Sequence, residues 1–128
     1  MKIKNKINKK ILIAEDDNDI LDILKKRFEI DGFFVVSAKD GEEAVRMAES
    51  EKPDLIILDV LMPKLDGLKM LEKIKEFNKN IKIIFLTNLK DKENLERIKN
   101  AGNFDCLIKS ELRIDEIVEK IKDKLGIK

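Results

Sequence analysis

Histidine is absent from this 128-residue chain, as are tryptophan and tyrosine, and there is a single cysteine, Cys106. Without imidazole the chain has no Ser-His or Cys-His nucleophile pair, no histidine general base and no histidine metal ligand. One thiol excludes an internal disulfide and a cysteine-built zinc site. Long apolar runs are missing too. No stretch approaches the roughly 20 apolar residues that span a bilayer, so a soluble protein with no membrane partner is expected. Charge of one sign is not in excess: 27 basic and 26 acidic residues leave a net charge of +1. That balance exerts no global attraction on nucleic acid or on a membrane surface. Chemistry in such a chain has to run on carboxylates, hydroxyls, lysines and a bound ion.

The length is that of one domain, enough to bury a core without disulfides. Residues 1–10, MKIKNKINKK, form a basic arm carrying Lys2, Lys4, Lys6, Lys9 and Lys10. The arm reads as a solvated tail, and it lacks the apolar segment of a signal peptide, so the cytoplasm is the expected compartment. Charged residues make up 41% of the chain, well above the usual level of about 25%, which predicts a solvated surface laced with helical ion pairs.

From residue 11 to 126, apolar runs alternate five times with helical periodicity. Ile11 to Ala14 reads as a buried strand, followed by Ile20, Leu21, Leu24 and Phe28 at helical spacing until Gly32. Phe33 to Val36 is the second strand, and Gly41 opens a helix carrying Ala44, Val45 and Ala48 that Pro53 closes off. Leu55 to Leu58 is the third and most apolar strand, before a helix marked by Leu68, Leu71 and Ile74. Ile81 to Leu86 and Cys106 to Ile108 complete the strands. Leu95, Ile98 and Ala101 mark the fourth helix, ended by Gly102; Leu112, Ile117, Val118, Ile121 and Leu125 stripe the fifth. The result is an α/β fold, (βα)5, with a doubly wound five-stranded parallel sheet covered by helices on both faces. Ligands in such sheets bind beyond the carboxyl ends of the strands.

Polar residues stand at those ends. Glu15 and Asp16 close ILIAEDD, Asp59 closes DLIILDV, Thr87 follows the fourth strand and Lys109 the fifth. If the first and third strands are neighbours, the three carboxylates meet at one rim, where they repel one another unless a cation neutralises them. Oxygen donors with no nitrogen or sulfur among them favour Mg2+ or a similar hard ion. Helix capping accounts for Asp17 and Asp66 but not for Asp59, which Pro63 separates from the next helix. Three carboxylates, a metal, a hydroxyl and a lysine are what phosphoryl transfer to a carboxylate needs. Asp59, on the central strand, is the nucleophile candidate; Asp16 would ligate the metal directly and Glu15 would support it through water. Lys109 would neutralise phosphoryl charge and Thr87 would donate a hydrogen bond to it.

The ordered set ILIAEDD, LIILDVLMPKLDG, FLTN and LIKS resembles the receiver domain of two-component response regulators, over Ile11 to Leu125. Asp59 to Gly67 matches the family segment D-x-x-M-P-x-x-D-G. The resemblance implies a flavodoxin-like sheet of strand order 2-1-3-4-5. It implies phosphorylation of Asp59 by a sensor histidine kinase or phosphotransfer protein, with Mg2+ held by Asp16, Asp59 and the backbone carbonyl of Leu61. The phosphorylated state would draw Thr87 inward and change the surface of the fourth helix, fifth strand and fifth helix, on which a downstream protein target of unknown identity would dock. On this reading the chain is a phosphoacceptor, not a turnover enzyme. It is a stand-alone switch, a relay intermediate or a part of a longer regulator.

Two positions depart from the family pattern. Cys106 stands where an aromatic residue usually precedes the lysine by three, and Phe104 is the nearest ring that could substitute. Ser110 stands where proline usually follows the lysine through a cis bond. Lys109-Ser110 is therefore either a costly cis bond or a trans bond with a rearranged loop, the latter weakening phosphoryl binding. Leu61 and Leu89 flank the expected path of the hydrolytic water, and apolar side chains at both predict slow loss of the phosphoryl group. The alternative function is a degenerate receiver acting as a phosphorylation-independent interaction module. A phosphatase or phosphomutase is disfavoured because Leu61 stands where such enzymes place a second aspartate. The stripe of the last helix reads as core; pairing of its exposed face, tuned by Glu119, Lys120, Lys122 and Asp123, would make a phosphorylation-dependent homodimer.

Overall fold

The computed structural model describes residues 7–62, 64, 66–87, 92–102, 104–111 and 113–127. Leu89, Leu112, Pro63 and the outer lysines of the arm, Lys2, Lys4 and Lys6, lie outside the described residues. Five parallel strands, β1 (Lys10–Ala14), β2 (Phe34–Ala38), β3 (Leu55–Asp59), β4 (Lys82–Thr87) and β5 (Asp105–Ile108), alternate with helices α1 (Asn18–Ile30), α2 (Gly41–Glu51), α3 (Gly67–Phe77), α4 (Lys92–Ala101) and α5 (Ile114–Leu125). A 3-10 turn, Lys109–Glu111, follows β5 on the way to α5. The strand order is β2-β1-β3-β4-β5, as expected.

Every residue of β3 is buried, and β1 and β4 are buried except at their first positions. Unbroken apolar character is what a strand covered on both faces requires. Alternate residues feed two cores. Ile11, Ile13, Leu55, Ile57, Ile84 and Leu86 pack against Leu21, Leu24 and Phe28 of α1 and Ile117, Val118 and Ile121 of α5. Leu12, Ala14, Ile56, Leu58 and Phe85 face α2, α3 and α4 through Ala44, Ala48, Leu68, Leu71, Ile74 and Ile98. In α1, α2, α3 and α5 the helical spacing read from the sequence thus marks core-facing stripes, whereas in α4 Ile98 is buried and Ala101 is exposed.

The second strand begins one residue later and ends two residues later than its apolar run suggests. Phe33 belongs to the end of α1: its N–H donates to Phe28 O at 3.0 Å and that of Gly32 to Glu29 O at 3.0 Å. This closure needs a left-handed residue, and Gly32 supplies it at φ 101°. At the other end Ser37 and Ala38 continue the ladder, Ala38 opposite Ala14. The fourth strand likewise runs Lys82–Thr87 in place of 81 to 86, so Thr87 is its last residue.

Side-chain capping sets the entry of α1 and α3 beside the rim. Asp17 accepts from Asp19 N and Ile20 N at the start of α1, and Asp66 from Lys69 N at the start of α3. Among the described residues no helix is long and apolar enough to cross a membrane.

Candidate functional site

Parallel register delivers the polar residues to one edge of the sheet. Ala14 pairs with Leu58 and Asp59 with Leu86, so the ends of β1, β3 and β4 are level. Glu15 and Asp16 leave β1 at that edge, where Glu15 N donates to Ala38 O at 3.0 Å and Asp16 N to the Glu15 carboxylate at 3.0 Å. Carboxylate oxygens of Glu15, Asp16 and Asp59 lie within 4.8 Å of one another. Asp16 is exposed, whereas Glu15, Asp59 and Thr87 are buried.

Lys109 reaches into this cluster from the start of the 3-10 turn. Its Nζ lies 2.6 Å from Asp59 Oδ2 and 2.8 Å from Glu15 Oε1, and it donates to Glu15 Oε2 at 3.1 Å. A cation was expected to neutralise the carboxylates, and Lys109 itself supplies part of that charge. The peptide bond Lys109-Ser110 is trans, since no described bond is cis. The 3-10 turn aims the ammonium into the pocket from that trans bond, with Ser110 itself exposed.

Electrostatics follow from this crowding. Burial pushes the Glu15 carboxyl up to about 8, the hydrogen bond and charge of Asp59 push the same way, and Lys109 only partly offsets them. For Lys109, burial works against the charge, but the hydrogen bonds and charges of Asp59 and Glu15 prevail and raise its pKa. Glu15 Oε1 is buried and accepts no well-directed hydrogen bond despite its closeness to Nζ. A buried, under-satisfied carboxylate oxygen beside two more carboxylates fits a hard divalent cation.

Asp59 is oriented by backbone: Leu61 N donates to Asp59 Oδ1 at 3.1 Å, while Val60 N is tied to Leu86 O at 2.9 Å. The Leu61 side chain stands 49% exposed at the rim. Thr87 is buried at the end of β4, opposite Ile108. Cys106 is half-buried against the core shared with α3 and α4, and burial, reinforced by Asp105, raises its thiol pKa. Phe104, on the same side of β5, packs edge-to-face on Phe85 with centroids 5.6 Å apart and has Lys75 Nζ 5.2 Å from its ring centre. The ring is thus held at the start of β5, at the far end of that strand from Lys109. Gly67 had entered the sequence reading only as the last letter of a motif. It is buried, and its N–H donates to Val60 O at 2.8 Å, next to the Asp59 backbone.

Comparison with known proteins agrees with this fold. Residues 11–122 match the family described as the response regulator receiver domain, and the chain belongs to that family. It is therefore a receiver domain of two-component signalling, a phosphorylatable switch. Among relatives, it is 40% identical over 114 residues to the alkaline phosphatase synthesis transcriptional regulatory protein PhoP of Bacillus subtilis, covering 89% of this chain and 43% of PhoP. It is 31% identical over 122 residues to sporulation initiation phosphotransferase F of the same organism, covering 95% and 98% of the two chains. A solved receiver domain from Methanospirillum hungatei superposes with a TM-score of 0.85 at 33% identity, over 92% of this chain and 94% of that one. The chain spans about half or less of the length of PhoP and several other regulators it matches.

Proposed function

We propose that the chain accepts a phosphoryl group on Asp59 from the phosphohistidine of a sensor kinase or phosphotransfer protein, and passes the change to a docking partner through the surface of α4, β5 and α5. The observation that carries this reading is the convergence of Lys109 Nζ, 2.6 Å from Asp59, with three carboxylates within 4.8 Å of one another. Asp16, Asp59 and the Leu61 carbonyl would hold Mg2+, with Glu15 supporting it through water; the ion supplies charge neutralisation at the phosphoryl oxygens when bound.

An oxygen of the Asp59 carboxylate attacks phosphorus, an O–P bond forms, the N–P bond to the donor imidazole breaks, and the imidazole leaves with the bonding pair. The Leu61 N–H holds the other Asp59 oxygen at 3.1 Å, which fixes the plane of the attacking carboxylate. Lys109 transfers its hydrogen bonds from the carboxylates to the phosphoryl oxygens, and Thr87, buried at the end of β4, donates its hydroxyl to them. Reaching the pocket through a trans bond, Lys109 needs no proline at position 110 to be placed. On this reading the chain assists its own phosphorylation and dephosphorylation as a phosphoacceptor and not as a turnover enzyme, and it works in the cytoplasm. Apolar Leu61 at the rim disfavours ordering of a hydrolytic water, giving a long-lived acyl phosphate.

Intact mass spectrometry with Mg2+ and acetyl phosphate tests the reading, beside Asp59→Asn and a chelator control. One phosphoryl adduct, lost in both controls, is expected. A folded wild-type protein that takes no adduct contradicts the proposal.

A further inference from the structure

Gly67 is the first residue of α3, a helix whose N-terminus Asp66 already caps. Glycine is a poor helix former and its backbone here is not left-handed, so neither helix propensity nor conformation explains it. Space does. A Cβ at this position would lie 2.9 Å from Val60 Cα and 3.3 Å from both Asp59 O and Val60 O. All three are backbone atoms, with no flexible side-chain end among them to move aside. The Gly67 N–H also donates to Val60 O at 2.8 Å, and Val60 N is bound on its other side to Leu86 O of β4 at 2.9 Å. The Asp59-Val60 segment is therefore clamped between the fourth strand and the first turn of α3. The next residue along, Leu61, supplies the N–H that orients Asp59 Oδ1.

We propose that Gly67 is a positioning residue for Asp59: its missing Cβ lets α3 press on the Val60 backbone and so sets the Leu61 N–H that fixes the attacking carboxylate. It acts through Val60 and Leu61 and touches no reacting atom. A methyl group there must push the Val60 backbone by several tenths of an ångström, because a Cβ contact of 2.9 Å is not tolerated. Misplacement by about 1 Å costs on the order of a hundredfold in rate, so a shift of this size costs roughly tenfold.

The inference rests on the phosphoacceptor reading, and its test separates the two. Gly67→Ala and Asp66→Ala are compared with the wild type in the full chain, for adduct formation from acetyl phosphate at saturating Mg2+ and for the Leu61 amide resonance of the metal-free protein. Asp66→Ala removes the cap of the same helix but adds nothing near Val60, so it reports destabilisation alone. The expected result is a roughly tenfold slower adduct rate and a displaced Leu61 amide in Gly67→Ala, with both near wild type in Asp66→Ala. Should Gly67→Ala melt below the assay temperature, trimethylamine N-oxide restores the folded population, and the rate is expected to stay low. A rate that recovers with the fold, or an unmoved Leu61 amide, overturns the proposal. If the wild type itself takes no adduct, the phosphoacceptor reading fails, and the Leu61 amide alone decides the positioning contact.

Discussion

Lowering the pH weakens Mg2+ binding through one proton, the one that burial holds on Glu15. Its carboxyl is raised from 4.5 to about 8, so near neutrality the metal-free pocket is mostly protonated there. Because Glu15 shares that pocket with Asp59 and Lys109, the proton belongs to the cluster, and the cluster must release it to support a divalent ion. For one proton leaving at about pH 8, apparent affinity rises about ninefold between pH 6 and 7, about fivefold between 7 and 8, and less than about twofold above that. The sign for folding is opposite to that of a salt-bridged carboxylate whose pKa folding lowers. Between roughly pH 4.5 and 8 the unfolded chain has lost this proton and the folded chain keeps it, so the metal-free protein loses stability as pH rises across that window. Lys109, whose pKa is raised from 10.5, remains charged throughout the window and adds no slope there. Titration calorimetry in two buffers of different ionisation heat counts the protons directly, and about 0.9 should leave per ion at about pH 7. In Glu15→Gln binding is weaker and independent of pH over this range. Flat affinity in the wild type, or the same slope in Glu15→Gln, would refute the assignment.

Three further outcomes are expected. Leu61→Asn places a polar group at the rim where 49% of the leucine is exposed; one hydrogen bond to the attacking water, worth roughly 1 kcal/mol, speeds loss of the phosphoryl group about fivefold. A time course of adduct decay checks this, and unchanged decay removes Leu61 from the account of lifetime. Lys109→Ala strips the cation from two buried carboxylates, and the metal-free protein at about pH 8 loses roughly 3 kcal/mol in urea unfolding, partly restored by Mg2+. Phe28→Ala empties a fully buried site that also stacks edge-to-face on Phe33 with centroids 6.2 Å apart. Its cost is about 3–5 kcal/mol by the same measurement.

The parts of the fold that were legible in the sequence are those whose physics is local. β1, β3 and β4 are apolar nearly throughout because both faces are covered, and α1, α3 and α5 carry stripes at helical spacing. The edge strand β2 was misplaced because Phe33 closes the end of α1, a hydrogen bond between residues that a hydropathy pattern does not register. Asp59, Glu15, Asp16 and Lys109 were legible as a set because each follows a strand that parallel pairing brings to one edge. Their internal arrangement was not. That Glu15 is buried while Asp16 is exposed, and that Lys109 bridges Glu15 and Asp59, depends on side-chain packing between segments up to 94 residues apart. Arg27 is a similar case: it joins Asp31 at 3.0 Å and Asp115 of α5 at 2.8 Å, a link between helices that only the fold brings together. Gly67 is the clearest omission, since the absence of an atom is informative only when its neighbours are known.

The central claim is that Asp59 is the atom-bearing acceptor, and chemical trapping tests it most directly. Borohydride reduces an acyl phosphate to the corresponding alcohol, so the protein treated with Mg2+ and acetyl phosphate, then reduced and mapped by peptide mass spectrometry, should carry homoserine at position 59 and nowhere else. Homoserine at Asp16, or 2-amino-5-hydroxypentanoate at Glu15, with Asp59 intact would contradict the account, as would a folded protein left wholly unreduced.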